Sequence, residues 1–134
     1  MRCLGLDYGQ KRIGLAISDL SNTIATTYKV LINNKSLMDN LKEIVQNEKI
    51  THIVIGLPLH MNGDKGDKAL MAEALGDDLK KFLNVEILYE DERLTTVSAQ
   101  RILIAGDVRR DKRKGKIDAL AATFILQKYL DKQK

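Results

Sequence analysis

The sequence contains few of the residues that form disulfides or large aromatic clusters. Its 134 residues include one cysteine, one proline, two histidines and no tryptophan, and aromatic residues make up 4% of the chain. Because Cys3 is the only cysteine, an intrachain disulfide is excluded, and we expect Cys3 to be a small core residue. His52 falls in an apolar stretch and His60 in a polar one, so we expect no histidine pair that binds a metal.

Long hydrophobic runs are also absent. No apolar run approaches the ~20 residues that a membrane-spanning helix needs, and no basic segment followed by a long apolar core opens the chain. These absences predict a cytoplasmic protein that does not bind membranes. Hydrophobic residues at 44% and charged residues at 30% are typical of globular proteins, and the length predicts a single domain over residues 1–134.

Positive charge is concentrated in one stretch. Residues 109–116 read Arg-Arg-Asp-Lys-Arg-Lys-Gly-Lys, with six basic residues and one acidic residue, whereas the whole chain carries a net charge of +4. The rest of the chain is therefore close to neutral. We predict a basic loop here that suits a polyanion, because Lys and Arg contacts to phosphates release condensed counterions. A solvated linker is the alternative interpretation.

The apolar pattern predicts five strands. Two of them flank a polar turn with Gly9 and so form a hairpin. The predicted strands are Cys3–Leu6, Ile13–Ile17, Ile24–Ile32, Thr51–Ile55 and Val85–Tyr89.

Four helices are predicted between and after these strands. The first begins at a capping-box-like Ser36 and runs to about Glu48. The second presents Leu75, Leu79 and Phe82 on one face, and the third begins at Thr95 or Thr96 and ends at Ala105-Gly106. The last covers Ile117–Leu130 and is apolar around much of its circumference. The order predicts an α/β fold with a mixed sheet, antiparallel first and then parallel through crossover helices.

Acidic residues stand where apolar elements end. Asp7 follows the first strand, Asp91 and Glu92 follow the fifth, and Asp118 lies in the first turn of the last helix. Ligands of open α/β sheets bind outside the carboxyl ends of the strands. If the sheet pairs the first strand with the fourth and fifth, and the last helix packs over the sheet, we expect these acids to be neighbours. Divalent cations relieve the repulsion between such carboxylates, and two ions can promote phosphodiester hydrolysis.

Each acid also has a structural interpretation. Asp7 could cap the turn or pair with Lys11 or Arg12, and Asp91 and Glu92 could pair with Arg93 in an exposed turn. Asp118 could favour the helix dipole, which is worth ~0.3–1 kcal/mol. Strand alternation does not decide between Asp91 and Glu92 as a metal ligand, because the end of the strand is not fixed by the pattern.

Four motifs follow one another along the chain. They are Leu6-Asp7-Tyr8-Gly9-x-Lys11-Arg12-Ile13-Gly14-x-Ala16, Gly56-Leu57-Pro58, Asp91-Glu92-Arg93-Leu94-Thr95-Thr96 and Lys116-Ile117-Asp118-Ala119-Leu120-Ala121-Ala122. Together they resemble the bacterial YqgF family, also called RuvX, a compact branch of the RuvC-like nucleases. The resemblance spans essentially the whole sequence. The one mild departure is the extra charge between Asp64 and Lys68.

The resemblance implies a ribonuclease H-like fold with a five-stranded mixed sheet and helices on both faces. It also implies a metal-dependent nuclease that processes the 5′ end of precursor 16S ribosomal RNA in ribosome biogenesis. A Holliday junction resolvase acting on branched DNA is the alternative, by analogy with RuvC. The implied partners are nucleic acid and the pre-ribosomal particle.

The family's acidic positions match Asp7, the pair Asp91 and Glu92, and Asp118 as catalytic residues. Asp7 would bridge two Mg²⁺ or Mn²⁺ ions, with Glu92 (or Asp91) and Asp118 each completing one coordination sphere. Basic and hydroxyl side chains would hold the nucleic-acid backbone. These residues are Lys11, Arg12, Arg93, Thr95, Thr96, Arg109, Arg110, Lys112, Arg113, Lys114 and Lys116.

Two other classes of protein remain open at this point. A non-catalytic nucleic-acid-binding ribosome-assembly factor would need the basic stretch but not the acids. An ATPase of the actin or sugar-kinase type shares the pattern Asp7-Tyr8-Gly9 followed by Gly14, but that class normally needs two domains. RNA or DNA preference is also open, and so is the choice between a monomer and a homodimer, since a four-way junction would favour a symmetric dimer.

Overall fold

The computed structural model of the protein describes the backbone of residues 2–57, 66–91 and 110–133, and the side chains of these residues except 110–118. Within these ranges the chain forms five strands and three helices. They are β1 (Cys3–Asp7), β2 (Arg12–Ser18), β3 (Ala25–Ile32), α1 (Leu37–Asn47), β4 (His52–Leu57), α2 (Asp67–Phe82), β5 (Glu86–Asp91) and α3 (Arg110–Lys132). The helix predicted from Thr95 or Thr96 to Gly106 lies outside the described residues.

The five strands form one mixed sheet in the order β3-β2-β1-β4-β5. Strands β1, β2 and β3 are antiparallel neighbours, whereas β4 pairs in parallel with both β1 and β5. The carboxyl ends of β1, β4 and β5 therefore lie at one edge of the sheet, which we call the carboxyl edge. This topology confirms the mixed sheet that was predicted, with antiparallel pairing first and parallel crossovers after it.

Helices cover both faces of the sheet, as predicted. Leu4 and Leu6 of β1 pack in the core on the side of α1 and α2, where Leu41 and Leu79 are fully buried. Cys3 belongs to a second core on the other side, with Ala122 and other residues of α3. The alternation of side chains along a strand thus divides β1 between two cores.

The last helix is longer than the sequence pattern predicts. It begins at Arg110 rather than at Ile117, so the predicted basic loop from 110 to 116 is wrong and these residues are helical. Gly115 and like charges four residues apart disfavour a helix, which is why the pattern indicates a loop. Lys and Arg are nevertheless good helix formers, and extending an existing helix is much easier than starting one.

Smaller differences have local causes. Asp7 and Asp91 are the last residues of their strands rather than the first residues beyond them, because each pairs with a neighbouring strand. Phe82 is 62% exposed, since the following Leu83 takes the buried position. Ser36 makes no side-chain cap because its backbone is α-helical rather than extended.

Candidate active site

Asp7 is a buried carboxylate at the carboxyl edge. It pairs with Gly14 of β2 and is 8% exposed. Two residues earlier, Gly5 lies directly beneath α3, and alternation places Asp7 on that same face of the sheet. A carboxylate this buried is costly unless it is paired, hydrogen-bonded or bound to a cation.

The hairpin after Asp7 is held in place by Asn33. The Asn33 side chain donates a hydrogen bond to the Gly9 carbonyl at 2.8 Å, and its backbone N–H donates to the Lys11 carbonyl at 2.9 Å. A Cβ atom on Gly9 would collide with the Arg12 carbonyl oxygen, so the turn requires glycine. Lys11 is exposed, and Arg12, the first residue of β2, is half-buried.

Glu90 and Asp91, the last two residues of β5, lie on opposite faces of the sheet. Asp91 pairs with Leu57, which packs against the core on the side of α1 and α2. Residues paired in register point to the same face, so Asp91 lies on the opposite face from Asp7. The sequence could not decide this point because it did not fix where the strand ends.

Glu90 is the acid of β5 that lies on the face of Asp7. It pairs with Gly56, and Leu6 pairs with Ile55, so Asp7 and Glu90 stand at the same level on either side of β4. Two strand spacings put their Cα atoms ~10 Å apart. The Glu90 side chain is 4% exposed and accepts hydrogen bonds from Lys132 Nζ at 2.9 and 3.0 Å.

The sequence places Glu90 first among three consecutive acids after the fifth strand, but it assigned neither Glu90 nor its lysines to this edge. Lys132 contacts Glu90 across 42 residues of chain, and Lys128 Nζ donates to the Asp91 carbonyl oxygen at 3.0 Å. The only signal was the spacing of Lys128 and Lys132, four residues apart on one helix face. That spacing does not identify a partner in a distant strand.

The direction of α3 across the sheet follows from its contacts with β3. Gln127 Oε1 accepts a hydrogen bond from the Ala25 N–H at 2.8 Å, and the hydroxyl groups of Thr123 and Thr27 lie 3.1 Å apart. Helix α3 therefore runs antiparallel to β3, and β3 runs parallel to β1. The part of the helix that contains Asp118 thus extends toward the end of the sheet where Asp7 lies.

The remaining predicted residues are placed only in part. Arg110, Lys112, Arg113, Lys114, Lys116 and Asp118 belong to α3 by their backbone. Five others lie outside the described residues: Glu92, Arg93, Thr95, Thr96 and Arg109.

Carboxylate oxygens are the donors that this edge offers to a cation. Mg²⁺ and Mn²⁺ prefer such oxygen ligands, so the chemistry of Asp7 fits a divalent metal. No group of three potential metal ligands occurs among the described side chains. Two of the three predicted ligands, Glu92 and Asp118, are not among those side chains. Among the described helices, none is long and apolar enough to cross a membrane.

Comparisons with known proteins place the chain in a family. The family model "RuvX: Holliday junction resolvase" matches residues 1–132. A protein of Caldanaerobacter subterraneus subsp. tengcongensis is 48% identical over 138 residues, covering 100% of this chain and 99% of that protein. A protein of Streptococcus thermophilus is 43% identical over 137 residues, covering 98% and 99%. Both are named "Putative pre-16S rRNA nuclease".

Solved structures share the fold at low sequence identity. The RuvC of T. thermophilus in complex with a Holliday junction has a TM-score of 0.62 and 13% identity, covering 99% of this chain and 95% of that one. The Fowlpox virus resolvase in complex with Holliday junction DNA has a TM-score of 0.60 and 14% identity, covering 99% of both chains. These matches confirm the ribonuclease H-like fold. With the family model and the full-length relatives, they establish that the chain belongs to the RuvX family.

Proposed function

We propose that this protein is a metal-dependent nuclease that processes the 5′ end of precursor 16S ribosomal RNA, and that residues 1–134 form one nuclease domain. The observation that carries the proposal is the buried Asp7 carboxylate at the carboxyl edge, near the end of β5 and toward the N-terminal half of α3. Support for the substrate comes from the name carried by relatives 42–48% identical to this chain.

Asp7, Glu92 and Asp118 would hold the metal, which we expect to be Mg²⁺ or Mn²⁺. When bound, two such ions activate a water molecule and stabilise the leaving oxygen in an in-line phosphodiester hydrolysis. Asp7 contributes a carboxylate already fixed at the end of a buried strand. Such a ligand needs little reorganisation to bind a cation.

The position of Asp91 supports Glu92 as the ligand from β5. Asp91 lies on the face of Leu57, away from Asp7, and the Glu90 carboxylate forms an ion pair with Lys132. A residue two positions after Glu90 returns to the face of Asp7 if the alternation of the strand continues.

Basic residues near the same edge would hold the substrate backbone. Lys11 and Arg12 follow Asp7 in the hairpin, and the basic residues 110–116 precede Asp118 in the same helix. Arg93, Thr95, Thr96 and Arg109 would add further phosphate contacts. Contacts of this kind position a nucleic acid without reading its sequence, which suits a nuclease that acts at a defined place in a larger particle. We propose the pre-ribosomal particle in the cytoplasm as the place of action.

The test is cleavage of two labelled substrates, a precursor 16S RNA with its 5′ leader and a synthetic four-way DNA junction. Each substrate is incubated with the protein and Mg²⁺, Mn²⁺ or EDTA. Metal-dependent trimming of the RNA alone is the result we expect. Symmetric cuts in the junction would favour the resolvase instead, and tight binding without cleavage of either substrate would favour a ribosome-assembly factor.

A further inference from the structure

Two adjacent residues of α3, Gln127 and Lys128, hold the helix to the two sides of the sheet formed by the outer strands β3 and β5. On the β3 side, Gln127 accepts a hydrogen bond from the Ala25 N–H and donates one to the Thr23 carbonyl oxygen at 3.0 Å. On the β5 side, Lys128 Nζ donates to the Asp91 carbonyl oxygen at 3.0 Å. These contacts with β3 and β5, the two outer strands of the described sheet, therefore fix the rotation of α3 about its axis.

Lys132 adds a charged contact to the β5 side. The ammonium group bonds both oxygens of Glu90, whose side chain is 4% exposed, while Lys132 itself is 58% exposed. A buried carboxylate without its partner would be strongly destabilising, so this pair ties the end of β5 to the end of α3.

In the described sheet β5 is an outer strand, so strand pairing stabilises its end from one side only. It pairs with β4 on one side, and in the described part of the sheet no strand lies on its other side. The last pairing is Leu57 with Asp91, directly before Glu92. Lys128 and Lys132 therefore hold the last two residues of the strand where a second neighbouring strand would otherwise do so.

We propose that Lys128 and Lys132 are positioning residues for the acidic site. Lys132 acts through the Glu90 carboxylate and Lys128 through the Asp91 carbonyl group. Together they fix the last two residues of β5, the strand that directly precedes Glu92 in sequence, against α3, the helix whose backbone contains Asp118. This inference rests on the proposed function, because it assigns these lysines to the geometry of the metal-binding acids.

Neither lysine touches substrate in this proposal, so their loss affects rate and metal binding more than substrate affinity. A misplacement of ~1 Å in a catalytic group can lower the rate ~100-fold. Because the backbone pairing with β4 remains, we expect a smaller loss of about tenfold in kcat for Lys132→Met. Methionine keeps a long apolar stem and removes only the charge.

The experiment compares Lys132→Met, Lys128→Met, Lys132→Arg and the exchanged pair Glu90→Lys with Lys132→Glu. Lys42→Met is the matched control, because Lys42 is an exposed lysine of α1 on the other face of the sheet. For each protein, kcat and KM are measured on the RNA substrate, Mn²⁺ affinity is measured without substrate by electron paramagnetic resonance, and amide hydrogen exchange is measured at residues 86–91.

We expect Lys132→Met and Lys128→Met to lower kcat about tenfold and Mn²⁺ affinity several-fold, with KM unchanged and exchange at 86–91 faster. Lys132→Met should also lower the folded fraction, because it leaves the buried Glu90 carboxylate without its partner, so kcat and Mn²⁺ affinity are expressed per folded molecule. Lys132→Arg and the exchanged pair should recover most of both losses, whereas a merely structural lysine would lower the folded fraction and leave kcat and Mn²⁺ affinity per folded molecule unchanged. Wild-type kcat and Mn²⁺ affinity in both methionine variants would overturn the inference, and so would unchanged exchange at 86–91.

The outcomes separate this inference from the proposed function. A wild-type protein that neither binds Mn²⁺ nor cleaves either substrate would contradict the proposed function. Hydrogen exchange at 86–91 still reports whether the lysines hold the strand in that case. A wild-type protein that binds Mn²⁺ and cleaves, beside methionine variants that do the same equally well, would contradict the positioning role alone.

Discussion

Gly5 and Leu126 meet where α3 crosses the middle of the sheet. A Cβ atom at Gly5 would lie 2.7 Å from the Leu126 Cβ atom and 2.8 Å from the Ala122 carbonyl oxygen. Both atoms belong to or sit next to the helix backbone, so neither can move aside without moving the helix. The absence of a side chain at Gly5 therefore sets how closely the helix that contains Asp118 approaches β1.

Substitution of Gly5 by alanine should destabilise the protein. Overpacking at a site that cannot adjust typically costs about 1–3 kcal/mol of unfolding free energy. Gly76→Ala is the matched control, because its Cβ atom would meet the hydroxyl end of the partly exposed Tyr89 ring, which can move. Urea denaturation should show a clear loss for Gly5→Ala and a smaller effect for Gly76→Ala, where better helix propensity offsets ~1 kcal/mol. Equal losses in the two variants would contradict this account of the crossing.

The two candidate ligands at the end of β5 should respond differently to neutralisation. Glu92→Gln should lower metal-dependent cleavage at least ~100-fold, because a carboxylate ligand is replaced by a weaker neutral one. Asp91→Asn should retain activity within about tenfold, because Asp91 lies on the face of Leu57 rather than that of Asp7. The measurement is kcat at saturating Mg²⁺ for both variants. An inactive Asp91→Asn beside an active Glu92→Gln would reverse the assignment.

Much of this site follows from local sequence signals. Apolar runs bounded by a glycine turn predict β1 and β2, and the β-branched run before Gly56 predicts β4. The carboxylate of Asp7 could be placed near a strand end, because Asp is unfavourable within a buried strand. These features depend on residues close together in the chain, which is why they can be predicted.

Features that depend on distant residues could not be predicted. Asp7 and Asp91 belong to their strands only because Gly14 and Leu57 pair with them. The contact of Lys132 with Glu90 requires the whole fold, since 42 residues separate the two. The face of Asp91, which decides between the two acidic candidates, could be assigned only after the pairing of β5 was known.

Neutralising the basic turns of α3 should weaken nucleic-acid binding and reduce its salt dependence. Three lysines per variant are changed to glutamine. The test variant carries the substitutions Lys112→Gln, Lys114→Gln and Lys116→Gln, and the control carries Lys42→Gln, Lys80→Gln and Lys81→Gln in exposed positions. For single-stranded RNA, log K falls as log salt rises, and the magnitude of this slope should decrease by about 0.7 for each phosphate that the protein no longer neutralises.

Loss of helix would not explain that result. Positive charges near the N-terminus of a helix oppose its dipole, so their removal should leave the helix content of the test variant unchanged or slightly higher. Circular dichroism at 222 nm checks this point. A test variant with the salt slope of the wild type would exclude residues 112–116 as phosphate-binding residues.

The protein should lose stability at alkaline pH. Burial raises the pKa of the Cys3 thiol, and burial also raises the pKa of the phenol groups of Tyr28, Tyr89 and Tyr129. These groups ionise at a lower pH in the unfolded chain than in the folded protein. As the pH rises, the unfolded state therefore binds fewer protons than the folded state, and the free energy of unfolding falls. The fall should begin near the ordinary pKa values of about 8.5 for cysteine and 10 for tyrosine.

Thermal unfolding between pH 7 and pH 10.5 measures this effect. We expect Tm to decrease above about pH 8.5. Cys3→Ala should show a flatter curve up to about pH 10, because the alanine variant no longer contains the group that ionises first. A Tm that stays constant to pH 10.5 in the wild type would contradict the raised pKa values of these groups.

Asp7 serves a metal-dependent cleavage reaction in the proposed function, and Asp7→Asn removes the charge of this carboxylate while it keeps the size of the side chain. Asp39→Asn is the matched control, because Asp39 is an exposed aspartate in the first turn of α1. Both variants and the wild type are assayed with labelled precursor 16S RNA in Mg²⁺, and the affinity for the RNA is measured in parallel. We predict that Asp7→Asn abolishes cleavage while binding stays largely intact, and that Asp39→Asn cleaves like the wild type. Cleavage by Asp7→Asn at the wild-type rate would contradict the metal-site account.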